Sequence, residues 1–238
     1  MNRSLVIAHR GASGYRPENT LTAFELAVAQ RADMIETDLH RTADGAIVVT
    51  HDDDLASLGG CGSIAQATLA QVRAFDVGGG ESAPTLEEVL DRFGARIPWN
   101  LELKRGSRGE YPGLEATTLD AVRARGLVPD VLFSSFHDTV LARLRALAPE
   151  ARVGLLLSRR APERAIERAL SLAAEAIHPE APLVDAALIR TAHAAGLAVY
   201  VFTVDDPAEM RRLVDLGADG LFTNFPDRMR RLVDSPRG

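Results

Sequence analysis

The sequence predicts an α/β fold built on a parallel sheet, either open or closed into a barrel. Three observations carry this. Short apolar runs alternate with helical stretches along the whole chain. Several of those runs are apolar on successive residues, the pattern of parallel strands covered on both faces. The length of 238 residues also suits one α/β barrel of roughly 250, and no Pro/Ser-rich linker, charge block or low-complexity tract divides the chain.

Leu5–Ala8 is the first strand candidate, followed by a helix over Thr20–Gln30 with Leu21, Phe24, Ala27 and Val28 at helical spacing. Asp33–Leu39 and Ala46–Thr50 are strands joined at Asp44-Gly45, which reads as a two-residue hairpin turn. Counted outward from that turn, Ala43 opposes Ala46, and Asp38 comes to oppose His51. The stretch Asp53–Ala83 is the least regular and is expected to form an insertion over one end of the fold. Within it, Gly78-Gly79-Gly80 follows no strand and lacks dinucleotide-binding spacing.

Thr85-Leu86-Glu87-Glu88, after Pro84, is a capping box that opens a helix running to about Phe93. Ile97–Leu103, Val131–Ser134, Val153–Leu157, Glu175–His178, Ala198–Thr203 and Asp219–Phe222 complete the strand candidates. Asp206-Pro207 sets an N-cap before a first-turn proline, and Gly217 stops the helix that carries Met210, Leu213 and Val214. Nine strand candidates are one too many for an eight-stranded barrel, and the hairpin supplies the extra one.

Composition excludes several classes. A net charge of −6 and a pI near 5.6 argue against a nucleic-acid or anionic-membrane surface. No apolar run approaches the roughly 20 residues of a membrane helix, and the four-residue apolar core near the N-terminus is too short for a signal peptide. A single cysteine, Cys61, cannot form an internal disulfide, so a cytoplasmic location is expected. Of the 27 basic residues only Lys104 is lysine. Coding bias towards arginine accounts for the others but not for the place of this one.

Four clusters of chemically active residues fall at C-terminal strand ends, where α/β barrels place their active sites. They are His9-Arg10-Gly11, Glu36-Thr37-Asp38, His51-Asp52 and Asn100-Leu101-Glu102-Leu103-Lys104. Glu36 and Asp38 share one strand face, as do Glu102 and Lys104. Alone, each has an ordinary structural reading, such as a hydrogen-bonded histidine or a surface ion pair. Together, three carboxylates, two imidazoles and one ammonium point to one mouth.

Those segments, with Pro17-Glu18-Asn19-Thr20, Asp44-Gly45, Ser134-Ser135-Phe136, Phe202–Pro207 and Gly217–Pro226, occur in an order that resembles the glycerophosphodiester phosphodiesterase family over nearly the whole chain. The resemblance implies a TIM-type (β/α)8 barrel, spanning 1–238 as a single domain with its insertion at about 53–83. It implies metal-dependent hydrolysis of small glycerophosphodiesters to an alcohol and glycerol 3-phosphate. By the same resemblance, Glu36, Asp38 and Glu102 match the metal ligands, and His9 and His51 the acid–base pair. Arg10 and Lys104 match the phosphate contacts, and Phe202 belongs to the substrate-facing rim. All-oxygen ligation suits Mg2+ or Ca2+.

The chain departs from the family at Phe202 (usually Trp), Asp205 (usually Asn), Asn224 (usually Asp) and at Ala56-Ser57-Leu58, where Arg-Thr-Thr is common. Asp205 and Asn224 have exchanged acid and amide, so a hydrogen bond between them with reversed polarity is expected. Among the other histidines, His40 shares the parity of Asp38 and is expected further out, in solvent. His178 is a possible substrate contact at a strand end. A lysophospholipid substrate is disfavoured because 53–83 holds no extended apolar stretch. A non-catalytic phosphate-binding barrel would not need both histidines.

Overall fold

The computed structural model describes residues 3–107, 109–160 and 163–235. Met1, Asn2 and the side chains of Ser57 and Leu58 lie outside the described residues. In chain order, β1 (Leu5–His9), α1 (Leu21–Ala29), β2 (Met34–Arg41) and β3 (Ile47–Val49) come first. Two short 3-10 turns, Leu55–Leu58 and Ile64–Gln66, precede α2 (Leu69–Val72), then α3 (Leu86–Phe93) and β4 (Trp99–Leu103). Helices and strands then alternate strictly: α4 (Leu114–Arg123), β5 (Val131–Ser135), α5 (Asp138–Leu147), β6 (Arg152–Leu157), α6 (Ala165–Ser171) and β7 (Ala176–Pro179). They continue through α7 (Ala186–Ala194), β8 (Ala198–Val201), α8 (Pro207–Leu216), β9 (Gly220–Thr223) and α9 (Pro226–Asp234). All strands except β3 pair in parallel, and β9 pairs with β1, so the sheet closes into an eight-stranded TIM-type barrel.

Local signals start and stop the elements. Thr20 caps α1 by accepting from the Ala23 amide, and the Thr85 capping box is complete in both directions. Asp206 accepts from the Glu209 amide at the start of α8, and Gly217 ends that helix at φ 100°.

Strand alternation divides the core into two layers. Trp99, Leu101 and Leu103 face outward under the helices, where Trp99 packs edge-on against Phe24 at 5.2 Å between ring centroids. Burying side chains of this size stabilises the fold by roughly 1.5–3 kcal/mol each. Ile7, Met34, Leu132, Ala176, Tyr200 and Phe222 fill the barrel interior. His178, expected as a possible substrate contact, has no exposed surface and lies beside the Tyr200 and Phe222 rings, and burial lowers its pKa to about 3. The irregular stretch packs Leu55, Ile64, Ala67, Val72 and Ala83 over Val48 of β3. No helix among the described residues is long and apolar enough to cross a membrane.

The hairpin register differs by one residue from the expectation. Arg41 opposes Ile47 and Leu39 opposes Val49, so Asp38 stands across from Thr50, whose amide donates to the Asp38 carbonyl, and not from His51. The cause is the turn. Thr42 and Ala46 close a three-residue loop through the Thr42 N–H to Ala46 carbonyl bond of 2.9 Å, and Gly45 takes the left-handed conformation at φ 93°. Thr42 reinforces the loop by accepting from the Ala46 amide and donating to Asp44. A side-chain hydroxyl thus outvoted the Asp-Gly pair.

Candidate active site

The parallel register assembles the four clusters at the C-terminal end of the barrel. His9 lies beside Glu36, Glu36 beside Asn100, and Asp38 beside Glu102. After β1 the chain turns sharply through Arg10 at φ 56° and Gly11 at φ 82°. A Cβ at Gly11 would sit 2.8 Å from the Ala23 backbone, so only glycine passes there. The turn aims the Arg10 amide at Glu36 Oε2, 3.0 Å away.

Glu36, Asp38 and Glu102 are buried, and one oxygen from each lies within 4.8 Å of the others. Burial, reinforced by Asp38 and Glu102, raises the Glu36 pKa well above its ordinary value. Burial also raises Glu102, against the pull of Lys104. Asp38 goes the other way: burial opposes its charge, but Lys104 and Arg10 outweigh that and hold it below the usual carboxylate range. Lys104 Nζ spans the cluster, 3.0 Å from Asp38 Oδ1 and 2.9 Å from Glu102 Oε1. Arg10 Nε is 3.2 Å from Asp38 Oδ2, a charge contact without hydrogen-bond alignment, while Nη1 donates to Glu18.

Two histidines flank the carboxylates. His9 Nε2 is 4.0 Å from Glu36 Oε2, and burial followed by the nearby Arg10 charge lowers its pKa to about 4. Its Nδ1 lies 2.8 Å from Asn224 Oδ1, and Asn224 Nδ2 donates to Asp205 at 2.6 Å, so the acid–amide pair that follows β8 and β9 is in contact. His51 donates through Nδ1 to Asp52 at 2.9 Å, and among the described residues its Nε2 has no hydrogen-bond partner.

Sequence reasoning missed three residues here. Asn19, at φ 58°, donates to Asp38 Oδ2 and accepts from Thr37, which fixes the inner carboxylate. It lies within Pro17-Glu18-Asn19-Thr20, a segment whose spacing does not say what it touches. His40, expected in solvent, is buried: its Nε2 donates to the His51 carbonyl at 3.0 Å and its Nδ1 accepts from the Tyr111 hydroxyl at 2.7 Å. Its parity with Asp38 was legible, but the covering loop that carries Tyr111 was not. Replacing Tyr111 with phenylalanine leaves the buried His40 Nδ1 without a donor, which is expected to cost about 1–3 kcal/mol of unfolding free energy. Urea unfolding measures this, and an unchanged midpoint contradicts the clamp.

A cleft of about 180 Å³ opens over these groups. His9, Arg10, Glu36, His51, Glu102 and Lys104 line its charged side, and Phe136, Leu156, Phe202 and Phe222 its apolar side. Phe202 stands edge-on to both Phe136 and Phe222 at 5.8 and 6.4 Å between centroids.

Such a cleft offers hard oxygen donors, cations and proton carriers against an apolar wall, as a phosphoester with a carbon skeleton requires. A sequence model of the glycerophosphoryl diester phosphodiesterase family matches residues 9–228. A glycerophosphodiester phosphodiesterase of Bacillus subtilis is 33% identical over 97% of this chain and 87% of its own length. The structure of a Silicibacter pomeroyi putative glycerophosphoryl diester phosphodiesterase superposes with a TM-score of 0.91 at 29% identity, covering 98% of this chain and 94% of that one. An Oleispira antarctica phosphodiesterase, solved with its product sn-glycerol 3-phosphate, superposes at 0.88 with 32% identity and 98% coverage of both chains. This chain belongs to the glycerophosphoryl diester phosphodiesterase family and is a phosphoric diester hydrolase.

Proposed function

We propose that the protein hydrolyses small glycerophosphodiesters to an alcohol and glycerol 3-phosphate at the barrel mouth, with a divalent cation held by Glu36, Asp38 and Glu102. The observation that carries this reading is the buried carboxylate cluster itself. Glu36, Asp38 and Glu102 each bring one oxygen within 4.8 Å of the others, and like charge from Asp38 and Glu102 adds to burial in raising the Glu36 pKa. A divalent cation among the three would relieve that repulsion and give an anionic phosphodiester a counter-charge. The donors are all oxygen, which suits Mg2+ or Ca2+. When bound, the cation neutralises and orients the phosphate oxygens.

The side chains supply the rest. The Arg10 guanidinium uses one N–H on Glu18 and keeps donors for the phosphate. Lys104 places a compact charge between Asp38 and Glu102, beside the cleft. His9 and His51 act as a pair: one accepts the proton of the attacking oxygen, from water or the neighbouring glycerol hydroxyl, and the other protonates the departing alkoxide. Phe136, Phe202 and Phe222 offer an apolar wall to the carbon skeleton of the substrate.

Release of glycerol 3-phosphate from glycerophosphocholine, assayed with and without a chelator, tests the reading. Release that the chelator abolishes and added Mg2+ or Ca2+ restores is expected. Ligand binding without release from any glycerophosphodiester would turn the site into a phosphate-binding module. Lys104→Arg refines the assignment, because a planar fork cannot occupy the same place between two carboxylates 3.0 and 2.9 Å from the ammonium. Losing one charge-assisted contact lowers kcat/KM by about 10–100-fold, and wild-type kcat/KM in that variant would remove Lys104 from the machinery.

A further inference from the structure

We infer that Asp205 is a positioning residue that acts through Asn224 to fix which ring nitrogen of His9 faces the cleft. The inference rests on the proposed role of His9 in proton transfer.

The argument is one of hydrogen-bond polarity. Asp205 Oδ1 accepts from the Asn224 backbone amide at 2.8 Å and from the Thr223 hydroxyl at 3.0 Å. Its Oδ2 lies 2.6 Å from the Asn224 side-chain nitrogen. A carboxylate only accepts, so Asn224 must turn its NH2 to Asp205 and its carbonyl oxygen the other way. That oxygen meets Ser13 Oγ at 2.7 Å and His9 Nδ1 at 2.8 Å. An amide oxygen only accepts, so His9 Nδ1 must carry the hydrogen. Its Nε2 is left with the lone pair, on the side of Glu36 and the cleft. The orientation of a ring at the end of β1 is thereby decided beyond the end of β8, two hydrogen bonds away.

Asp205→Asn reverses the order. To keep the backbone and Thr223 bonds, the amide introduced at position 205 must present its oxygen to them and its NH2 to Asn224. Two NH2 groups then face each other, and Asn224 flips to relieve the clash. Its NH2 now points at His9, which must accept at Nδ1 and carry its hydrogen on Nε2. The double substitution Asp205→Asn with Asn224→Asp satisfies every group again, with only the bond between positions 205 and 224 reversed in direction. The amide at position 205 then donates to the carboxylate at position 224, and that carboxylate accepts from His9 and Ser13.

Long-range 1H–15N spectra of the protein labelled at histidine report the His9 tautomer without any turnover, and glycerophosphocholine hydrolysis reports kcat and KM. The wild type is expected to show His9 with hydrogen on Nδ1. Asp205→Asn is expected to move the hydrogen to Nε2 and to lower kcat by about 10²-fold, with KM changed by less than about threefold. The double variant is expected to recover both, so that its loss is smaller than that of either single variant. An unmoved tautomer in Asp205→Asn, or additive losses in the double variant, would overturn the inference. A moved tautomer with an unchanged kcat would uphold the positioning and overturn the role of His9 in proton transfer. If Asp205→Asn fails to fold, the double variant and Asn224→Asp still decide the matter. Asn224→Asp alone sets two carboxylates face to face and is expected to lose the activity that the double variant keeps.

Discussion

Alanine at His51 is expected to slow release of glycerol 3-phosphate by about 10²–10⁴-fold, and alanine at His9 to do the same. Both imidazoles present Nε2 towards the cleft, because Nδ1 of His51 is held by Asp52 and Nδ1 of His9 lies on Asn224. On the proposed reading, removing either would leave one proton without a carrier, while Arg10, Lys104 and a cation held by the carboxylates would remain to bind the phosphate. The loss is therefore expected in kcat more than in KM. The two losses are not expected to multiply, because the histidines act as a unit. His51→Ala is also a clean test of chemistry over folding: His40 holds the backbone carbonyl of residue 51, not its side chain. Full activity in both single variants would remove the acid–base assignment.

Glu36→Gln is expected to weaken divalent-cation binding by about 10²-fold or more, since lesser changes around a metal ligand already cost 10–100-fold. The shape of the site survives, because the amide oxygen of glutamine can still accept from the Arg10 amide that now bonds Glu36. Charge is what changes. Glu36 is buried among like charges, and removing it relieves the repulsion from Asp38 and Glu102. The metal-free variant is thus expected to melt no lower than the metal-free wild type. The rise in melting temperature on adding Mg2+ or Ca2+ is expected to shrink, because that rise grows with [ligand]/Kd. Calorimetric titration reads the affinity directly. An unchanged affinity would take Glu36 out of the cation site.

Much of the fold was legible because its signals are local. The Thr85 capping box, the Asp206-Pro207 start and the Gly217 stop each involve residues within one or two turns of each other, and each appears in the structure as the sequence indicates. The strand ends were equally plain. Parity alone placed Glu36 with Asp38 and Glu102 with Lys104, and closure of the barrel brought these pairs side by side. Where a local signal had a nearby competitor, the reading slipped. Asp44-Gly45 suggested a two-residue turn, but the Thr42 hydroxyl stabilised a three-residue one and moved the ladder by a residue.

By itself, then, the sequence determined which of these side chains share a strand face and fall at C-terminal strand ends, since strand periodicity suffices for that. Only the tertiary structure decided how those side chains are held. The His40 clamp on His51 needs Tyr111, from a loop 71 residues away, and the orientation of His9 needs Asn224, 215 residues away. Hydrogen bonds have direction, and their direction depends on partners that no local pattern brings together. The chain names its reactive groups; the closed barrel decides which atom of each one faces the cleft.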